Sequence, residues 1–315
     1  MKILLPLCVL SLSLWSAGCE PEFDPYNELA GLRVLAVRAE PAELSEGEST
    51  TLDALIYEQD GKAVARKWSF CPWTADPNDG YTCPVDQATF DRAFRNADIK
   101  GAAPSLELGK GDTANLPFPA DLEGTRRLCE QLARLLENSA TIAPDCSARW
   151  EWTVHLTVTS AGRTIDTIKD VTLLLTEEAR PNRNPMLTGL LAKAEGDEES
   201  VALDGTQAAQ LRADREHGLR VVLDPDSIET FMPVPVPGQR PPSATEEALT
   251  FTWFAEAGTT DRIRSTYRKG VETLTRATEN DWQAPSKQRS VRLYVVARDH
   301  RGGIDWREGL VRLID

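Results

Sequence analysis

Three histidines, six cysteines and a surplus of carboxylates are the residues of this 315-residue chain whose chemistry could serve a reaction or a metal. The histidines stand far apart. His155 falls on the polar side of an alternating run, His217 precedes another apolar run, and His300 lies in a glycine-rich turn. A nucleophile needs a base within hydrogen-bond reach. No G-x-S-x-G, H-E-x-x-H, H-x-H, Walker A or G-x-G-x-x-G stretch supplies such a grouping. Acids outnumber basic residues 49 to 35, and no two of them stand out as a glycosidase pair. If a hydrolytic site existed, it would draw on acids such as Asp224 or Asp299. The expectation is a protein without catalytic residues and without a cofactor.

Calcium is the metal to test, because oxygen ligands abound. "DPNDG" offers Asp76, Asn78 and Asp79 in one tight turn, but Gln87 stands where an EF-hand would have its distal glutamate. Asp224 with Asp226, and Asp299 with Asp305, are further oxygen clusters, and all of these residues also make ordinary turns. A hard cation needs a full oxygen shell that no one loop supplies, so no metal site is expected.

The cysteines sort by position. Cys8 lies in an apolar leader and Cys19 directly follows it, which leaves Cys71, Cys83, Cys129 and Cys146. An even number in an exported chain reads as disulfides, and three pairings are open. Cys71–Cys83 and Cys129–Cys146 are favoured because each closes a short local loop, worth roughly 3 kcal/mol in the chain-entropy model. Zinc is disfavoured, since the gaps lack the close ligand spacing of a structural site and no histidine is near.

The elements that would position these groups are mostly strands. In "WEWTVHLTVTSAGRTIDTIKDVTLLL", Trp150, Trp152, Val154, Leu156 and Val158 alternate with Glu151, Thr153, His155, Thr157 and Thr159, a period of two that predicts a half-buried strand turning at Ala161-Gly162. "SVRLYVVARDHRGGIDWREGLVRLI" repeats the plan and turns at Asp299 to Gly303. Further strands are expected at Leu52–Tyr57, Lys67–Phe70, Leu219–Leu223 and Leu249–Phe254, with Trp68 and Trp253 filling the cores. "LRVLAVRAE" (Leu32–Glu40) and "LTGLLAKAE" (Leu187–Glu195) echo one another at the head of each half. Short strands divided by turns argue for sandwiches over a parallel sheet. Between Pro84 and Ala143 the pattern becomes helical, with Leu128, Leu132, Leu135 and Leu136 in one stripe beside Cys129, a packing face. "PVPVPGQRPPS" (Pro233–Ser243) is polyproline-like and reads as a stiff exposed loop.

The N-terminus reads as an address. Lys2 precedes an apolar run from Ile3 to Trp15, too short for a comfortable span, and then come Ser16, Ala17, Gly18 and Cys19. The stretch Ser16-Ala17-Gly18-Cys19 resembles the lipobox of bacterial lipoproteins, with Ser16 where that family usually has leucine. The resemblance implies a diacylglycerol on Cys19, cleavage before it and acylation, palmitate included, of the new N-terminus. Glu20 after the cysteine resembles the family's outer-membrane sorting pattern. Glu20–Glu28 carries four acids and two prolines, as a solvated tether would. A formal net charge of −14, more negative once Lys2 is cut away, argues against nucleic acid and against electrostatic binding to anionic lipid.

"AEPAELSEGESTTLDALI" resembles the opening of bacterial immunoglobulin-like domains, and "DWQAPSKQRSVRLYVVARDHRGGIDW" resembles the last third of PKD-type domains. The expected architecture is mainly β: a signal peptide over 1–18, an acidic tether over 19–30, an immunoglobulin-like β-sandwich over 31–178 with a helical insertion at about 84–143, a linker over 179–185, and a second sandwich over 186–315. The expected role is a lipid-anchored, non-catalytic binding, scaffolding or adhesion module of the envelope, membrane-held and facing envelope proteins or glycans. The alternative is an accessory or hydrolytic enzyme of polysaccharide metabolism.

Overall fold

The computed structural model describes residues 29–73, 81–136, 146–177, 180–194, 198–233 and 243–315. Cys19, the turn residues Asp76, Asn78 and Asp79, and most of the polyproline-like run lie outside the described residues.

Among the described residues the first half builds eight strands and two helices: β1 (Leu32–Glu40), β2 (Glu43–Leu44), β3 (Ser49–Glu58), β4 (Ala65–Cys71), α1 (Gln87–Asn96), β5 (Glu107–Gly109), β6 (Ala114–Pro117), α2 (Leu122–Leu135), β7 (Arg149–Ser160) and β8 (Arg163–Leu174). One sheet has the order β1-β3-β6 and the other β2-β8-β7-β4-β5, with β2 parallel to β8. Between them lies a core in which Trp68, Trp150, Trp152, Leu52 and Leu116 are sealed. The β7–β8 ladder runs without a slip from Arg149 opposite Leu174 to Ser160 opposite Arg163. Its two-residue turn holds Ala161 and Gly162 at positive φ, the primed geometry that matches strand twist.

Both helices lie in the interval expected to be a helical insertion, about 84–143, and the short strands β5 and β6 lie between them. Those strands are three and four residues long, too short to show a period of two. Each helix begins where an aspartate satisfies an orphan amide: Asp86 accepts from Thr89 N–H at 2.7 Å and Asp121 from Gly124 N–H at 2.7 Å. Phe90 and Phe94 of α1 and Leu128 and Leu132 of α2 enter the core, while Leu135, counted in the apolar stripe, is exposed. Disulfides join Cys71 to Cys83 and Cys129 to Cys146, with Cα atoms 5.5 and 5.7 Å apart.

The second half continues with β9 (Leu187–Ala194), β10 (Val201–Leu203), β11 (Ala209–Arg212), β12 (Glu216–Leu223), β13 (Thr230–Phe231), β14 (Thr245–Glu246), β15 (Leu249–Ala255), β16 (Thr259–Thr260), β17 (Arg264–Tyr267), α3 (Leu274–Thr278), β18 (Glu279–Gln283), β19 (Ser290–Arg298) and β20 (Ile304–Ile314). Its two main sheets have the orders β10-β9-β12-β18-β16 and β11-β20-β19-β15-β17, again with one parallel pair, β11 on β20. Superposing the orders sets β9, β12 and β18 against β1, β3 and β6. It sets β11, β20, β19, β15 and β17 against β2, β8, β7, β4 and β5. The faint echo between Leu32–Glu40 and Leu187–Glu195 therefore falls on equivalent first strands. Two stacked, mostly antiparallel sheets in this order, twice over, are immunoglobulin-like sandwiches.

Candidate functional site

The two sandwiches meet across a joint, and two of the candidate acids, Asp299 and Asp305, lie there. Its apolar half comes from strands that carry large side chains on both faces. On β3, Leu52, Ala54 and Ile56 point into the first core, while Leu55 and Tyr57 point away from it. On β19, Leu293, Val295 and Ala297 fill the second core, while Tyr294 and Val296 point outward. The outward sets pack on each other, together with Leu29, Leu35, Ala36 and Phe254, in one buried cluster. Tyr57 and Tyr294 meet edge to face with centroids 6.2 Å apart. Burial beside Glu256 pushes the Tyr57 hydroxyl up to about 12, and burial raises Tyr294 further still.

The polar half is the turn Asp299–Gly303. Asp299 is buried, and its carboxylate accepts from Arg301 N–H and Gly303 N–H, both at 2.8 Å, and from Asn182 Nδ2–H at 2.7 Å. Asn182 in turn donates its backbone N–H to Glu43 at 2.7 Å, so one asparagine of the connecting segment pins both sandwiches. Arg301 donates to Glu247 and lies 3.5 Å from Glu229 and 4.0 Å from Glu43, with its guanidinium 4.4 Å over the Phe231 ring. Glu43 also takes Arg149 at 2.8 Å. From β8, Lys169 donates to the carbonyl of Gly302, and its burial pulls the ammonium below the usual lysine range despite Asp299 nearby. Burial likewise raises Glu247, against the pull of Arg301. Glu43, Glu247 and Arg301 stay buried through partners of opposite sign, whereas Lys169 is held by a carbonyl.

A second clasp lies beside the first. Asp305 accepts from Arg38 at 2.7 Å and from Leu187 N–H at 2.8 Å, and Arg38 stacks 4.4 Å over Trp306. Asn184 donates to the Ala39 carbonyl at 2.7 Å and accepts from Ile304 N–H at 2.8 Å. The segment expected to be a linker is thus fastened at Asn182 and Asn184. Two clefts flank the Arg183–Glu229 ion pair. One of about 350 Å³ includes Arg38, Asp224 and Asp305 in its lining; the other, about 910 Å³, includes Arg149, Arg180, Phe231 and Arg301.

The remaining sequence candidates do not converge. Asp224 caps a single 3-10 turn, accepting from Asp226 N–H at 2.9 Å. His217 is buried against Trp282 and bonded to the Arg212 carbonyl at 2.8 Å, while His300 meets the Thr250 hydroxyl at 2.7 Å. His155 sits on the outer face of β7 between Ser69 and Ile168, and burial lowers its imidazole. Among the described residues no group of three or more His, Cys, Asp or Glu could hold a metal ion.

No family model matches the chain, and no curated protein does. Solved structures similar to it include the Yersinia pseudotuberculosis adhesin InvE, at 9 % identity and a TM-score of 0.20 over 88 % of this chain and 58 % of the adhesin. A marsupial T cell receptor is similar at 10 % identity and 0.25, over 90 % of this chain and 100 % of the receptor. Murine CEACAM1b is similar at 7 % identity and 0.20, over 90 % and 98 %. At such scores these likenesses carry no functional argument, and the description of the fold rests on the strand orders.

Proposed function

We propose that this chain is a lipid-anchored, non-catalytic module of the cell envelope, held at the outer membrane through Cys19 and acting in binding, scaffolding or adhesion. The observation that carries the anchor is Ser16-Ala17-Gly18-Cys19 closing a short apolar leader, followed by an acidic, proline-broken tether. A diacylated and N-acylated cysteine would hold firmly, since each buried methylene contributes about 0.8 kcal/mol and one chain alone is marginal. The non-catalytic reading is supported by structural hydrogen bonds that Asp224, Asp299, Asp305, His217 and His300 each make at separate places in the fold. A hydrolytic enzyme built on Asp299 would have to work with a carboxylate 1 % exposed and already accepting from three donors.

The test is the intact mass of the membrane-fraction protein from a Gram-negative host, beside Cys19→Ser. The proposal expects acyl mass at a Cys19 N-terminus in the wild type alone. Two identical, unacylated soluble species would replace it with a secreted factor.

A further inference from the structure

The larger of the two clefts beside the Arg183–Glu229 pair, about 910 Å³, has no role in the reading above. Its size is that of cavities that take small ligands, and it lies where such sites concentrate, between two domains. Each part of the chain contributes to it. Arg149 comes from the first sandwich, Arg180 from the connecting segment, and Ile228, Phe231, Met232 and Arg301 from the second. The lining thus joins apolar side chains to guanidiniums. Met232 is 60 % exposed, a large apolar group left to water at the cleft.

The charges decide what could enter. Arg301 is matched by Glu247 and Glu229, and Arg183 by Glu229. Arg149 gives a hydrogen bond to Glu43 at 2.8 Å, and its side chain stays 33 % exposed. Arg180 is exposed and has no partner among the described residues. Asp226 is the acid of the lining outside these pairs, and it turns its backbone carbonyl to Arg183 at 3.5 Å. An unmatched arginine is a planar fork of donors whose shape suits a carboxylate or a phosphate. Phosphate is the poorer match. It would bring roughly two charges to one unmatched cation, and it has no body to cover Ile228, Phe231 and Met232. An apolar ring would gain from the Phe231 ring and from the Met232 sulfur.

We propose that this cleft binds an organic carboxylate with an apolar body, the carboxylate held by Arg180 and Arg149 and the body against Ile228, Phe231 and Met232. A ligand seated there touches both sandwiches and the segment between them. The site deepens the binding role proposed above and rests on it. It makes no use of the lipid, so its failure leaves the acyl mass at Cys19 as it was and the two are told apart.

The probe is 3-phenylpropionate, titrated into the purified full chain and followed by saturation-transfer NMR of its ring protons, beside 3-phenylpropionamide. The acid should bind at least about tenfold more tightly than the amide, because only the acid brings a charge to the arginines. Arg180→Ala should weaken the acid about tenfold and leave the amide as it was. Asp226→Asn, which takes a negative charge from the same lining, should tighten the acid. Both variants alter exposed side chains, so the fold is not at stake. Equal binding of acid and amide would overturn the proposal, and so would binding of the acid that Arg180→Ala leaves unchanged or that Asp226→Asn weakens. Displacement of the acid by inorganic phosphate at equal concentration would replace it with a simple oxyanion site.

Discussion

Lys169 shows how far a side chain can depart from its sequence reading. It belongs to an alternating strand and would pass for a surface lysine, yet it is 8 % exposed and reaches across the joint to Gly302. Its depressed ammonium has a defined thermodynamic sign. The unfolded chain holds more protons than the folded one between the folded value and the ordinary 10.5, so stability is fully present above that range and falls as pH drops through it. Tyr57 and Tyr294 act the other way, because their raised values favour the folded state until pH climbs above 10. The prediction is therefore a difference. Below pH 10, stability measured by urea unfolding should rise more steeply with pH in the wild type than in Lys169→Met, and parallel curves would show that Lys169 is not desolvated by the joint.

The turn between β19 and β20 is the element on which most of this depends. Gly303 has no room for a side chain: a Cβ would lie 2.0 Å from Asp299 Oδ2 and 3.0 Å from the Arg183 carbonyl. Gly303→Ala should cost about 1–3 kcal/mol by overpacking, read as a lower urea midpoint at unchanged slope. The sequence reveals the turn, through "DHRGG" between two alternating runs, but not its task. Asn182 lies 117 residues from Asp299 and Glu43 a further 139 from Asn182, and no local period reports such pairings. The strands carry a further signal. "LDALIY" and "RLYVVA" are apolar on both parities, whereas Trp150–Val158 alternate cleanly. A strand apolar on both sides is covered on both sides. That pattern, applied to Leu55, Tyr57, Tyr294 and Val296, locates the apolar half of the joint without coordinates. β5 and β6 were illegible for the opposite reason, since three or four residues cannot establish a period. The disulfides were legible because each pair is local, and the two cores because tryptophans mark their central strands.

At the scale of the whole molecule, the two sandwiches are coupled by an apolar interface and by an ion-pair network that encloses Arg301. Arg301 draws on carboxylates of both halves, Glu43 from the first and Glu229 and Glu247 from the second. Removing it leaves Glu247, 1 % exposed, without its cation, while Glu43 keeps Arg149 at 2.8 Å, and breaking a buried pair from one side costs about 3–5 kcal/mol. With the joint closed by these contacts, neither sandwich unfolds without the other. Differential scanning calorimetry of the wild type and Arg301→Ala tests this most directly. The account predicts one transition in the wild type, with calorimetric and van't Hoff enthalpies equal, and a single transition at lower temperature in the variant. Two separate transitions in the wild type, of which Arg301→Ala moves one alone, would contradict it.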